Sequence, residues 1–141
     1  NYKVLFGTNQ NELIEAAGGL KEGCEKVISG GPMMGFAMYT TDTPITKTSS
    51  SILCMSKDEV SACEPTACIN CGRCVDACPS RIIPSRLADF AERHDEEAFL
   101  KFNGLECVEC GSCSYVCPAK RQLKQAIGSM RKTALANKKK K

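Results

Sequence analysis

Apolar and polar positions in the first part of the chain predict short strands around one helix. The apolar runs KVLF and EKVIS are typical of short strands. Between them, the stretch NQNELIEAAGG places Leu13, Ile14 and Ala17 on one helical face. Thr8 is the predicted N-cap of this helix, and the glycine pair Gly18-Gly19 is predicted to close it.

The pattern then changes to a turn followed by extended chain. The stretch GGPMMG at residues 30–35 predicts a turn because of its glycine and proline content. Residues 36–55 are rich in Thr, Ser and β-branched side chains, which favour extended structure interrupted at Pro44. The first 52 residues therefore predict an α+β segment.

Helical spacing dominates the second part of the chain. Asp95 is predicted to cap a short helix through EEAFLKF that ends at Gly104. Two further helical stripes flank this segment, and together they predict a mainly α-helical region. The apolar residues of the stripes are Ile83, Leu87, Phe90 and Ala91 before it, and Leu123, Ala126, Ile127 and Met130 after it.

Composition indicates a globular protein with a modest core. The 141 residues are 43% hydrophobic and 25% charged, which is not the balance of a disordered chain. Five Phe, three Tyr and no Trp predict a small aliphatic core. Such a core can require a second source of stability, such as a bound metal.

The eleven cysteines are the main candidates for chemistry. Disulfides, zinc sites and iron–sulfur clusters are the three interpretations of so many thiols. The number of cysteines is odd, and the first ten residues carry neither the charged leader nor the apolar segment of a signal peptide. Disulfides are therefore disfavoured, because they belong mainly to oxidising compartments.

Eight of the cysteines form an internal repeat. CINCGRCVDACP at 68–79 returns as CVECGSCSYVCP at 107–118, an offset of 39 residues. Each copy follows C-x2-C-x2-C-x3-C-P, the spacing of bacterial proteins with two four-iron clusters. Three thiolates at this spacing on a loop can surround one corner of a cubane. The glycine after the second cysteine allows the backbone to approach closely.

The same spacing indicates that the fourth cysteine of each copy ligates the neighbouring cluster. The sequence therefore predicts two [4Fe–4S] clusters with exchanged fourth ligands, and it predicts no catalytic acid, base or nucleophile. The predicted ligands are Cys68, Cys71, Cys74 and Cys117 for one cluster and Cys78, Cys107, Cys110 and Cys113 for the other.

Two prolines follow the fourth cysteines directly. Pro79 and Pro118 are predicted at the first position of a following segment of helix, where a missing N–H is tolerated. This placement would put Cys117 at a helix N-terminus, where the dipole favours a thiolate.

Zinc is the alternative metal. Structural zinc sites usually pair two C-x2-C units or combine Cys with His. The single histidine, His94, lies in the charged stretch AERHDEE and is predicted to be a solvated surface residue. Cys24, Cys54 and Cys63 lie outside the motifs and are predicted to be buried structural thiols.

The net charge of +3 is concentrated near the end of the chain, where Lys138–Lys141 form a basic tail. We expect this tail to be solvated. The basic residues are not interleaved with aromatic residues, so nucleic-acid binding is not predicted. No apolar stretch reaches the roughly 18–20 residues of a membrane span. The missing initiator Met suggests a piece of a longer protein.

Three stretches beyond the cysteines resemble the C subunit of the Rnf electron transport complex. They are GTNQNELIEAAGGL, ISGGPMMGFAMYTTDTPITKTSSSIL and CPAKRQLKQAIGSMRKTALANK. The first is similar to part of a soluble-ligand-binding β-grasp module. The cysteine motifs with their helical linker are similar to the alpha-helical ferredoxin domains of respiratory and flavin-linked enzymes. The resemblance implies an α+β chain: a partial β-grasp module and linker at 1–52, a two-cluster ferredoxin domain at 53–137 and a basic tail at 138–141.

The resemblance also implies a function. It implies a module that relays single electrons through two [4Fe–4S] clusters, within a membrane-associated, ion-translocating ferredoxin:NAD oxidoreductase. The implied partners are other subunits of that complex, and ferredoxin or an upstream flavin domain, on the cytoplasmic face of the cell membrane. FMN and NADH are implied only for an upstream part, because GGPMMG lacks the G-x-G-x-x-G order of a nucleotide loop. A cobalamin-reductase relative of the same Rnf protein and a structural zinc-binding interaction module are the alternatives.

Overall fold

The computed structural model describes residues 1–139, which divide into two compact units. The first unit is Asn1–Ala62 and the second begins at Cys63. The first unit extends past the predicted boundary at residue 52 because residues 52–55 form a strand of its sheet. Of the predicted basic tail, Lys138 and Lys139 end the last helix, and residues 140–141 lie outside the described residues.

The first unit combines one helix with a three-stranded sheet. Helix α1 spans Gln10–Ala16, and the strands are β1, Lys26–Ser29, β2, Phe36–Met38, and β3, Ile52–Met55. Both outer strands pair with β1 in antiparallel register, giving the order β2-β1-β3. The mixture of helix and sheet agrees with the predicted α+β class.

The ends of α1 follow from local side-chain and backbone hydrogen bonds. Asn9, rather than the predicted Thr8, is the N-cap, and its side-chain oxygen accepts a hydrogen bond from the Asn11 amide at 2.9 Å. At the other end, the Gly19 amide donates to the Ile14 carbonyl at 2.8 Å with φ +81°, so the predicted glycine closure is confirmed. Ile14 is buried together with Ile28 and Ile45.

The strand predicted in KVLF is absent from the structure. Residues 3–6 adopt no regular structure, and Leu5 and Phe6 are 82% and 68% exposed. The periodicity of an apolar run cannot show whether a neighbouring strand is available for pairing, and here β1 already has a partner on each side. The predicted turn at 30–35 is confirmed, because the Gly35 amide donates to the Gly31 carbonyl at 2.8 Å.

The second unit is built from helices and one 3-10 turn. The longest helix, α6, packs against α3. None of the helices within residues 1–139 is long and apolar enough to cross a bilayer. The elements are α2, Arg73–Asp76; α3, Pro84–Glu92; α4, Glu96–Lys101; the 3-10 turn, Gly104–Glu106; α5, Ser112–Tyr115; and α6, Leu123–Lys139.

The core of the second unit lies between α3, α4 and α6. Leu87, Phe99 and Ile127 have no exposed surface and belong to one apolar cluster. Ile82 is buried in this cluster, whereas the predicted core residue Ile83 is 40% exposed. The difference arises because α3 begins at Pro84, so Ile83 lies outside the helical periodicity that predicted its position.

The α4 region follows its predicted cap but ends earlier than expected. The Asp95 carboxylate accepts a hydrogen bond from the Ala98 amide at 2.9 Å, as predicted. The helix ends at Lys101, and Gly104 begins the 3-10 turn. Gly104 lies flat against the Phe99 ring, where a Cβ atom would overlap the ring carbons.

Replacing Gly104 by alanine should therefore destabilise the second unit by about 1–3 kcal/mol, because an added methyl group would force Phe99 out of its place in the core. Chemical denaturation followed by helical circular dichroism measures this effect. The matched control is Gly31→Ala, since Gly31 has open space around its Cα and should change the free energy of unfolding far less. Equal effects of the two substitutions would contradict the packing argument.

The 39-residue offset of the sequence repeat reappears in the backbone. Helices α2 and α5 begin 39 residues apart, as do α3 and α6. Gly72 and Gly111 precede the two short helices with φ +77° and +85°, a conformation that favours glycine at both positions. Non-glycine residues in the left-handed region recur at the same offset: Asn70 with Glu109, and Arg81 with Lys120.

Candidate metal centres

The structure brings the eight motif cysteines together in two groups of four. The first cysteine cavity, with about 380 Å³ of empty space partly open to solvent, is lined by Cys68, Cys71, Cys74 and Cys117. The second cysteine cavity, with about 340 Å³, is lined by Cys78, Cys107, Cys110 and Cys113. Each cavity therefore takes three thiols from one motif copy and one from the other.

Each motif folds as a loop followed by one short helical turn. The third cysteine lies within that turn, Cys74 in α2 and Cys113 in α5. The fourth cysteine follows the turn, and the amides of Cys78 and Cys117 donate to carbonyls three residues earlier at 3.1 and 3.3 Å. The third and fourth thiols thus leave the turn in different directions, which lets them serve different cavities.

Contacts between the two copies place the fourth thiols across from the triplets. Helices α2 and α5 pack against each other. The Thr66 amide, just before the first triplet, donates to the Ala119 carbonyl, just after Cys117, at 2.9 Å. This hydrogen bond holds the end of the second motif beside the start of the first.

The cavities lie against the apolar core of the second unit. Leu123 lines the first cysteine cavity, and Ile82 and Ile127 line the second. Cys113 belongs to the buried cluster, and Cys74, Cys78, Cys107 and Cys117 pack against it. The side chains that fix the helices therefore also fix most of the thiols.

The donor set fits an iron–sulfur cluster. Each cavity presents four thiols and no imidazole, and soft thiolates are the donors that such clusters use. In the second cavity, the Glu109 amide also donates to the Cys107 sulfur at 3.4 Å, which is the kind of hydrogen bond that tunes cluster sulfur ligands. Within residues 1–139, no three Cys, His, Asp or Glu side chains converge on a point that would hold a single metal ion.

Residues 67–121 match the family model of the 4Fe-4S dicluster domain. These residues contain all eight cysteines of the two cavities. The chain therefore carries two [4Fe–4S] clusters, as predicted from the spacing.

Relatives extend the likeness to most of the chain. The chain is 49% identical over 128 residues, 90% of its length, to the C subunit of the proton-translocating ferredoxin:NAD(+) oxidoreductase complex of Clostridium ljungdahlii. It is 40% identical over 98% of its length to the C subunit of the Na(+)-translocating counterpart from Acetobacterium woodii. It is 46% identical over 88% of its length to the C subunit of the ion-translocating oxidoreductase complex of Methanosarcina acetivorans.

The chain belongs to this family of C subunits. It spans 28%, 31% and 28% of the lengths of the three relatives, so it corresponds to less than a third of each.

The two cysteine groups of this C-subunit segment differ in exposure. Cys68 and Cys71 are exposed, whereas Cys107 and Cys110 are half-buried and Cys113 is buried. The difference follows from α6, because Lys124 and Ile127 of that helix line the second cavity.

Burial and hydrogen bonding set the thiol pKa values in the second group in opposite directions. Burial raises the pKa of Cys113 to about 11 and also raises that of Cys107. The Ser112 hydroxyl, 3.5 Å from the Cys110 sulfur, lowers the pKa of Cys110. Because the thiolate is the metal ligand, iron binding must displace the proton that burial holds on Cys113.

Three charged residues beside the cavities of this C-subunit segment were not predicted from the sequence. Arg121 lines the first cavity and contacts the carboxylates of Asp89 and Glu92 of α3 at 2.8 and 2.9 Å. Glu109 and Lys124 line the second cavity. The repeat offers a partial signal for Arg121, because the equivalent position in the first copy is the core residue Ile82.

Arg131 gives Glu109 its ion pair. Its guanidinium lies 3.3 Å from the Glu109 carboxylate and also donates to the Leu105 carbonyl at 3.1 Å. Arg131 belongs to α6, so this contact fixes the second cysteine loop against the longest helix.

Two expectations about prolines and cysteines are corrected. Helix α6 begins at Leu123, five residues after Pro118, and the Ser114 hydroxyl accepts a hydrogen bond from the Lys124 amide at 2.9 Å in its first turn. Cys117 is therefore not at a helix N-terminus, and Pro84 of α3 is the proline at a first helical position.

Two of the cysteines outside the motifs are not buried. Cys54 and Cys63 are exposed, and Cys24 is half-buried. Cys54 lies on β3, an outer strand of the sheet, and Cys63 lies in a segment without regular structure, which explains their exposure. His94 is exposed, as predicted.

Proposed function

We propose that this chain relays single electrons through two [4Fe–4S] clusters as part of an ion-translocating ferredoxin:NAD oxidoreductase complex. The observation that carries the proposal is the pair of cysteine cavities, each lined by four thiols from both motif copies and packed on one apolar core. No acid, base or nucleophile is assigned a catalytic role in it.

We further propose the ligands of each cluster. One cluster is held by the thiols of the first cysteine cavity, and the other by those of the second. When bound, such a cluster supplies one-electron chemistry that side chains lack. The assignment is supported by the exchange of Cys78 and Cys117 between the two copies, since either fourth thiol faces the triplet of the other motif.

The protein's own residues would position and shield the two sites. The contact between α2 and α5 keeps the two ligand sets adjacent, which a relay requires. Leu123 and Ile127 keep water from the core side of the cavities. Arg121 and Lys124 place positive charge beside groups of thiolates, which favours the charged form of the ligands.

The role within a complex rests on the relatives. Their names describe C subunits of proton-, Na(+)- or ion-translocating oxidoreductase complexes. We therefore place this chain among other subunits of such a complex, peripheral on the cytoplasmic face of the cell membrane. FMN and NADH would be bound by an upstream part, and ferredoxin or a flavin domain would exchange electrons with the clusters.

The first unit is proposed to be part of a β-grasp module, with the ferredoxin domain following it. Support comes from the antiparallel sheet β2-β1-β3 with the single helix α1 preceding it in the chain. This proposal is separate from the electron-relay proposal, because the cavities belong entirely to the second unit.

Anaerobic purification tests the proposed function. The protein should be brown, should contain about eight iron atoms per chain, and should bleach with dithionite. Electron paramagnetic resonance of the reduced protein should show two signals broadened by their mutual interaction, because a relay needs adjacent clusters. Colourless protein with stoichiometric zinc, or two reduced clusters without magnetic interaction, would contradict the proposal. Cys63→Ala is the control, because Cys63 is exposed and lines neither cysteine cavity.

A further inference from the structure

A separate cavity of about 480 Å³ lies in the first unit. It is formed where α1 begins, along β2 and against residues 43–49. Its volume falls within the roughly 300–1,000 Å³ range of small-molecule sites. The electron-relay proposal makes no use of it.

Gln10 is the feature that gives this cavity a chemical demand. The residue lines the cavity and is only 3% exposed. Its backbone amide donates to the Thr43 carbonyl at 2.9 Å, which fixes its position. Its side-chain oxygen is buried and accepts no hydrogen bond from any group in residues 1–139. A buried carbonyl oxygen without a donor is unfavourable, so a bound molecule that donates a hydrogen bond there would be stabilised.

Two aromatic side chains stand at the same cavity and are left largely in solvent. Tyr39 is 99% exposed and Phe36 is 66% exposed, although both line the cavity. Aromatic faces of this kind gain contact area from a flat ring that packs against them. Together with the Gln10 oxygen, they define a site with one polar contact and an apolar surface.

The charge of the lining fixes the class of ligand further. The side chains that line the cavity are Gln, Ser, Thr, Pro, Ala, Met and aromatic residues, and none of them carries a formal charge. A phosphate or carboxylate group would lose its hydration without gaining a cationic partner there. An uncharged molecule has no such penalty.

We propose that this cavity binds an uncharged small molecule that carries an aromatic ring and an N–H or O–H donor. The donor contacts the Gln10 side-chain oxygen, and the ring packs against Phe36 and Tyr39. Threonine hydroxyls on the 43–48 segment, from Thr43 and Thr48, supply further polar contacts to the ligand's edge.

Isothermal titration calorimetry of the cluster-loaded protein with two probes, adenosine and nicotinamide, tests the proposal. Both are uncharged, aromatic and rich in N–H donors, and at least one should bind with a Kd of about 1 mM or tighter. AMP serves as the charged counterpart of adenosine and should bind at least tenfold more weakly. Failure of both probes to bind at millimolar concentration would overturn the proposal, as would equal affinity for AMP.

Two variants locate the binding. Gln10→Leu should weaken probe binding at least tenfold and leave the thermal unfolding temperature the same or higher, because it removes a buried polar group that has no partner. Tyr39→Ala should also weaken binding, with no change in folding, because the side chain is exposed. The matched control is Tyr115→Ala in the second unit, whose ring is 78% exposed. Unchanged affinity in both Gln10→Leu and Tyr39→Ala would place any binding elsewhere and overturn the proposal.

Discussion

Cys117→Ala should leave the protein with about four iron atoms per chain instead of about eight. Cys117 lines the first cysteine cavity with Cys68, Cys71 and Cys74, so its loss removes one of four ligands from a single cluster. Cys78→Ala should cause a loss of the same size from the second cavity. Iron analysis after anaerobic reconstitution measures both effects.

Double variants identify which cluster each fourth cysteine serves. If Cys117 and Cys71 hold the same cluster, the double variant Cys117→Ala/Cys71→Ala should retain about four irons, as either single variant does. Cys117→Ala/Cys110→Ala should retain none, since each substitution then removes a different cluster. The reverse pattern, with iron lost completely in the first pair and retained in the second, would show that each motif completes its own cluster.

Phe99→Ala should destabilise the second unit by about 3–5 kcal/mol, which is a large share of the stability of a small domain. The ring is fully buried in the cluster that also contains Leu87, Ile127 and Cys113. Removing it leaves a cavity beside elements that position the thiols. Guanidinium denaturation under anaerobic conditions, followed by both helical signal and cluster absorbance, should show both signals lost together at lower denaturant.

The neighbouring residue supplies the control for this prediction. Leu100 lies on the same helix, α4, but is 37% exposed and is not part of the buried cluster. Leu100→Ala should cost less than about 1 kcal/mol. If Phe99→Ala shifted the helical signal but left cluster absorbance at its normal midpoint, the core would not be holding the thiols.

Much of the second unit could be predicted because its signals are local. The spacing of the cysteines, the Asp95 cap and the apolar stripe of α6 each depend on residues within a few positions of one another. The grouping of cysteines in the structure is the one that the spacing predicts, although the sequence alone could not show that Thr66 and Ala119 meet.

The errors occur where a distant partner decides the outcome. KVLF has the composition of a strand, but β1 is already paired on both sides. Pro118 has the local chemistry of a helix start, yet the first turn of α6 uses the Ser114 hydroxyl and begins later. The exposure of Cys54 depends on its place on an outer strand, and the role of Arg121 depends on acids of α3 about 30 residues earlier in the chain. Sequence periodicity carries none of this information.

The exchange of Cys78 and Cys117 between copies has a consequence for synthesis of the chain. As the polypeptide leaves the ribosome, the three earliest thiols of the first cavity wait for Cys117, the last motif cysteine to be made. The second cavity has its full set four residues earlier, at Cys113. Any truncation before Cys113 therefore leaves both cavities short of a thiol, and a ribosome that stalls between the motifs releases a product unable to complete either site.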